Sequence, residues 1–254
     1  MPAADYPFVL QSLVLKDFKV RYRNMSLGVL WSLLNPFIMM AVLAFVFTNV
    51  FPERSVKGFP VFVLCGLVPF NFFTVAWSSG MLSVTDNGGL VKRVPVPRVL
   101  LPLASVLSNC IHMLIQMAIL LGFALAFGFG VNRYWALLPV IWLCELLFVM
   151  GLVMATAALD VYVRDLRHIV DSLIRVMFWM VPIFYGIESI PSGWRGAYEL
   201  NPVSALTIAQ RAIVMNATAP ASMLLLKLFF TSLLMLGFGW FIFRRLQDRF
   251  YEQL

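Results

Sequence analysis

The sequence predicts an all-α polytopic membrane protein with six transmembrane helices, on three observations. Of 254 residues, 61% are apolar and only 12% charged, whereas a soluble domain carries roughly 25% charge. Six apolar runs approach the ~20 residues that a helix rising 1.5 Å per residue needs to cross the hydrocarbon core. Basic residues gather in alternate connections, the distribution left when Lys and Arg are retained on the cytoplasmic side.

The runs cover 30–51, 59–79, 100–129, 135–159, 169–187 and 223–243. They read as helices because lipid cannot satisfy unpaired backbone groups. The fifth is the least apolar, with Asp171, Ser172 and Arg175 in its first third. Orientation follows from the cations. Lys16, Lys19, Arg21 and Arg23 precede the first run, and Lys92, Arg93 and Arg98 lie between the second and third. Arg164, Arg167 and Arg175 lie between or at the start of the next pair, and Arg244, Arg245 and Arg249 follow the sixth. Placing all of these inside puts both termini in the cytoplasm and accounts for most of the nineteen Lys and Arg.

The expected organisation is one membrane domain over 1–254: a cytoplasmic interface segment 1–29, a helix bundle 30–243 and a tail 244–254. No cleavable signal is expected, since Lys16, Asp17 and Lys19 interrupt the early apolar positions. Residues 10–23 draw as an amphipathic helix with Ser12, Lys16, Lys19 and Arg23 on one face and Leu10, Leu13, Val14 and Phe18 turned away. Such a helix lies in the headgroup layer against anionic lipid. Between the fifth and sixth runs, 203–215 is too short and, with Gln210 and Arg211, too polar for a crossing. Outer re-entrant or surface helices are expected there.

The net charge of +7 is placed where topology explains it, so nucleic acid is not an expected partner. No Gly-rich phosphate loop is present: Gly88-Gly89-Leu90-Val91-Lys92-Arg93 lacks both spacing and hydroxyl. Any ATP used is therefore bound by another chain. Two histidines, His112 and His168, are too few and too far apart for a metal site. Cys65, Cys110 and Cys144 lie in apolar runs and read as small buried hydrophobes.

Glu145 and His112 are ionisable at membrane depth, where such groups are costly. Either they form a proton or substrate site, or Glu145 is hydrogen-bonded across helices to Gln116 or Asn109. Asn35-Pro36 and Asn201-Pro202 are each a fixed kink or a helix start, with gating as the alternative. Many aromatic residues, Trp31, Phe70, Phe72, Phe73 and Trp77 among them, fit interfacial belts. Phe178 and Trp179 fall deeper, where a ring can stack on a passing sugar. Two connections, 86–98 and 160–168, mix charge, proline and apolar anchors in a way that fits contact with a partner.

The ordered set Lys19-Val-Arg-Tyr-Arg23, Leu27-Gly-Val-Leu-Trp-Ser-Leu-Leu-Asn-Pro36, Gly66-Leu-Val-Pro-Phe70, Val94-Pro-Val-Pro-Arg98, Tyr162-Val-Arg-Asp-Leu-Arg-His168 and Asn201-Pro202 with Arg211 resembles the membrane subunit of ABC-2 exporters. Within that class it is similar to the group exporting O-antigen, capsule or teichoic acid. The resemblance implies a homodimer in the bacterial cytoplasmic (inner) membrane, each subunit with six spans and an N-terminal interface helix. Two nucleotide-binding subunits, holding ATP and Mg, would dock beneath, and no cofactor would sit in this chain. The substrate would be a lipid-linked glycan, its path between the copies lined by the first and fifth spans at Trp31, Asn35, Phe178, Trp179 and Tyr185. Asp86, Leu90, Lys92, Arg93, Arg98, Arg164 and Asp165 would couple to the ATPase.

Three rivals remain at this stage. An ABC-2 exporter of a drug or simple lipid shares every loop argument. An ion-coupled secondary transporter would use Glu145 or His112. An intramembrane enzyme would need free carboxylates, but Asp160, Asp165 and Asp171 alternate with Arg164, Arg167 and Arg175 as solvated ion pairs would.

Overall fold

A computed structural model describes residues 6–22, 30–50, 58–93 and 97–253, and every regular element among them is helical. In chain order these are α1 (Tyr6–Tyr22), α2 (Leu30–Phe45), α3 (Phe59–Met81), α4 (Gly88–Arg93), α5 (Leu100–Ala126), α6 (Leu138–Asp160), α7 (Leu166–Met180), α8 (Ser192–Leu200), α9 (Pro202–Val214), α10 (Ser222–Leu246) and α11 (Phe250–Gln253). Four are long and apolar enough to cross a membrane: α3, α5, α6 with its preceding 3₁₀ turn, and α10 with its following one.

α3 is the centre of the bundle. Every residue from Val61 to Phe70 is buried, as expected of a helix that is apolar on all sides. It packs against α2, α5, α6, α7 and α9, while α10 runs the length of α6. That last pair packs backbone to backbone: a Cβ on Gly151 would collide with the Met235 carbonyl, and one on Gly239 with the carbonyl of Gly151. Small residues at facing positions let backbones meet, which is how helices gain packing energy without a hydrophobic drive between them.

Helices stand at the two remaining predicted spans, but neither is among the four long enough to cross. α2 passes through Pro36 without ending there and continues as a π-helical turn, Val46–Val50. The Asn35-Pro36 pair therefore does not start this helix. The fifth run corrects the expectation more sharply, since α7 stops at Met180 instead of continuing to 187. Val181 is extended, at φ −78° and ψ 134°, because the ring of Pro182 excludes the residue before it from the helical region. At the second Asn-Pro pair the helix-start alternative holds. The Asn201 side chain accepts from the Val203 amide at 3.1 Å, and Pro202 occupies the first turn of α9.

α1 packs along α5. Leu13 is buried with Leu100, Leu101 and Ala104, and Leu10 and Val14 pack on the same cluster. Ser12, Lys16 and Lys19 are exposed, so the two predicted faces are both present. The apolar one, however, meets protein. Arg23 and the 23–29 stretch of the motif lie outside the described residues.

Candidate functional site

At the basic end of the bundle the two charged connections come together. A cavity of about 460 Å³ is lined by Thr85, Asp86, Arg164, Asp165, Arg167 and His168. Two of its lining residues reach the buried carboxylate of Asp160, which accepts from the Thr85 hydroxyl at 2.9 Å and lies 3.7 Å from Arg167. Of the predicted coupling residues, Asp86, Arg164 and Asp165 thus share one cavity, and Lys92 is exposed beside them in sequence.

Two of the coupling residues turn elsewhere. Leu90 and Val91 of α4 pack on the Leu13–Leu100–Leu101–Ala104 cluster, joining α4 to α1 and α5. The Lys16 ammonium donates to the Asn87 amide oxygen at 2.6 Å, a second tie between α1 and the connection. Arg98 instead donates to the Gln247 carbonyl at the end of α10. There the Tyr162 hydroxyl donates to the adjacent Leu246 carbonyl at 2.8 Å, and the Phe250 ring is fully buried against Phe243. The side chain of Arg93 and residues 94–96 lie outside the described residues.

The predicted path residues of the fifth run form a ring group. Phe178 meets Trp179, with centroids 5.6 Å apart, and Phe184, at 6.1 Å; Tyr185 lies 5.2 Å from Phe184, and its hydroxyl donates to the Trp179 carbonyl. Phe178 also touches Phe70 at 5.6 Å. Phe70 is the middle residue of the 23-residue α3, so this ring contact sets Phe178 level with the middle of that candidate span. Asn35 is exposed on α2 and makes no hydrogen bond to this group among the described residues. The Trp31 side chain lies outside them.

The exposed faces of α7 are unusual for a helix at that depth. At 3.6 residues per turn, buried Val170 and half-buried Ile174 and Met177 mark the side toward α3, while His168, Ser172, Arg175 and Trp179 fall on one line opposite. All four are exposed. Ile169, Leu173, Val176 and Met180 form an apolar, exposed stripe beside that line. A polar line facing lipid would be expensive; it requires water or a second polypeptide in front of it.

Through 181–186 the chain bends without regular structure, and one buried cation holds it. Arg211 of α9 donates to the carbonyls of Ile183 at 2.6 Å, Phe62 at 3.1 Å and Tyr185 at 3.2 Å, and it lies over the Phe62 ring at 3.4 Å. A neighbouring cavity of about 990 Å³ is lined by Phe47, Phe184, Tyr185, Glu188, Tyr198 and Arg211. In the sequence Arg211 counts against a crossing at 203–215 and belongs to the motif set, without an assigned partner. Its role depends on the carbonyls freed by Pro182, which is a tertiary match that spacing does not show. Phe47 and Phe184, which line the same cavity, were not among the expected site residues.

The polar groups between α3, α5 and α6 settle differently from expectation. Gln116 accepts from Asn71 at 3.2 Å, and Asn109 donates to Ser79 at 3.0 Å. α3 therefore engages the two amides proposed for Glu145. Both Glu145 carboxyl oxygens are buried without a hydrogen-bond partner among the described residues. His112 stacks on Phe18 of α1, with centroids 4.9 Å apart and the planes within 8°.

Comparison with known proteins gives a consistent picture. A family model described as ABC-2 type transporter matches residues 9–216. The O-antigen export system permease protein RfbA of Myxococcus xanthus is 31% identical over 252 residues, 98% of this chain and 96% of that protein. RfbA of Klebsiella pneumoniae is 29% identical over 94% of this chain and 92% of its own length. The polysialic acid transport protein KpsM of Escherichia coli is 21% identical, over 81% of each chain.

Proposed function

The chain belongs to the ABC-2 type transporter family, and on that premise we propose that it is the permease subunit of an ATP-driven exporter of a lipid-linked polysaccharide. O-antigen, capsule and teichoic acid chains are the substrate class; its relatives are named for O-antigen export and for polysialic acid transport. The chain is multi-pass in the bacterial inner membrane with both ends inside. α2 with its π turn and α7 with the 181–187 segment complete six crossings, and α8 and α9 form the re-entrant outer pair.

The observation that carries this reading is the line His168, Ser172, Arg175 and Trp179 on the side of α7 away from its own core. Two copies facing across that line enclose an aqueous path, with Trp31, Asn35, Phe178, Trp179 and Tyr185 along it. Ring faces accept the CH faces of successive sugars without reading hydrogen bonds, so one path passes a long polymer. Two separate nucleotide-binding subunits hold ATP and Mg at the basic end. They grip Asp86, Arg164 and Asp165 around the cavity together with the basic pair Lys92 and Arg93 of the same connection, while Leu90 and Arg98 pass displacement to α1 and α10.

Reconstitution tests this. The permease and its nucleotide-binding partner, in vesicles loaded with lipid-linked glycan, should move glycan across the bilayer only with ATP. Export by the purified permease alone would overturn the proposal. A rival export of simple lipids predicts equal transport of a lipid without sugar; the ring group predicts that the glycan-free lipid is poorly moved.

A further inference from the structure

We propose that Arg175 is the contact for the phosphate that joins the glycan to its lipid carrier, a site no comparison assigns. The inference rests on the reading of α7 as a wall of the path. Arg175 lies on the exposed polar line, three residues and about 4.5 Å toward the basic end from Phe178, whose contact with Phe70 sets it level with the middle of α3. Lipid cannot solvate a guanidinium there. Snorkelling of a lone cation does not explain the position, because His168 and Ser172 continue the same line below it.

The guanidinium is also free to receive an anion. Its Nε donates to the Asp171 carbonyl at 3.2 Å, and no other bond or ion pair occupies it among the described residues. The two terminal nitrogens form the planar fork that matches phosphate oxygens in a bidentate pair. A two-fold dimer would bring a second fork to the same level, which suits a diphosphate better than a single phosphate.

The neighbours of Arg175 reproduce the order of groups in such a substrate. A lipid-linked glycan carries a hydrocarbon tail, then phosphate, then sugar. On α7 the apolar stripe of Ile169, Leu173, Val176 and Met180 flanks Arg175, and Trp179, 66% exposed, stands one turn beyond. The tail can stay against the lipid-facing stripe while the phosphate meets the cation and the first sugar meets the rings.

The test uses the full permease–ATPase complex in a maltoside detergent free of phosphate, with farnesyl diphosphate, farnesyl monophosphate and farnesol as probes of one tail length. Wild type should bind in that order of affinity. Arg175→Gln should weaken diphosphate binding about tenfold or more, the range for a lost hydrogen bond to a charged group, and leave farnesol unchanged; Arg175→Lys should fall between. Equal diphosphate affinity in wild type and Arg175→Gln, with matched melting temperatures, overturns the inference. So does rescue of Arg175→Asp by Asp171→Arg, which would make the pair an ion bridge between copies. Either result leaves the export reading standing if the wild-type complex still moves glycan with ATP; loss of that transport is the separate failure of the reading itself.

Discussion

Gly151 and Gly239 face each other where α6 and α10 pack, so closely that a Cβ on the second would overlap the carbonyl of the first. Overfilling such a contact costs ~1–3 kcal/mol per added methyl-sized group. Gly239→Ala should therefore lower the melting temperature of the purified permease by several degrees, and Gly239→Leu should abolish folded protein. Gly237, two residues away, has nothing within 4 Å of its Cβ position. Gly237→Ala should be neutral or slightly stabilising. Thermal unfolding followed by size-exclusion chromatography checks both, and equal losses at the two sites would contradict the packing described.

Arg211 should be the least replaceable side chain of the outer helix pair. Removing it strands the carbonyls of Ile183 and Tyr185, which no helix satisfies, each worth ~1–3 kcal/mol when unsatisfied. Arg211→Ala should not accumulate in the membrane, and Arg211→Lys should recover only part of the yield, because a single ammonium cannot reach three acceptors in a plane. Western blots of membrane fractions suffice; normal levels of the Ala variant would refute the account.

The α1–α4 connection makes a kinetic prediction. Lys16 and Asn87 are hydrogen-bonded at the surface, so Lys16→Ala should change stability by no more than ~1 kcal/mol. Leu13→Asp, which puts a charge into the buried cluster with Leu100 and Leu101, should separate α1 from α4. Substrate-stimulated ATP hydrolysis of the complex should fall several-fold in Leu13→Asp while basal hydrolysis persists. Unchanged stimulation would show that α1 carries no part of the signal.

Glu145 tests the ion-coupled alternative. Its carboxyl is buried without a hydrogen-bond partner among the described residues, and the amide of Gln has the same shape. Glu145→Gln should fold and export at the wild-type rate, insensitive to a pH gradient. Loss of transport in a folded Glu145→Gln protein would place an ion in the cycle and against the proposal.

Topology is open to direct labelling. Gly89 is exposed with open space around its Cβ position. Gly89→Cys should react with an impermeant maleimide only after the inner membrane is opened. Reaction in intact spheroplasts would invert the orientation and remove the coupling surface.

Much of this was legible in one dimension. The four long spans, the apolar face of α1 and the cap at Asn201 follow from periodicity and local chemistry, which act over a few residues. The end of α7 was legible too, since Val181-Pro182 forbids a helix at that point, but counting apolar residues across 169–187 concealed it. What the sequence withheld was pairing. Gln116 and Asn109 could serve Glu145 or α3 equally well by composition, and only the approach of Asn71 and Ser79 decides. Arg98, expected among the coupling residues, finds the Gln247 carbonyl because α10 happens to end beside it. Such choices belong to three-dimensional proximity and leave no periodic trace.

The interrupted fifth crossing sets how the outer part of the molecule is able to move. Since the carbonyls of Ile183 and Tyr185 are held by a cation belonging to α9, sliding one past the other would leave bare backbone dipoles in oil. The break and the outer helices must travel as one rigid wedge. Any shift of the outer helices then carries the break with it, the arginine riding along unbroken.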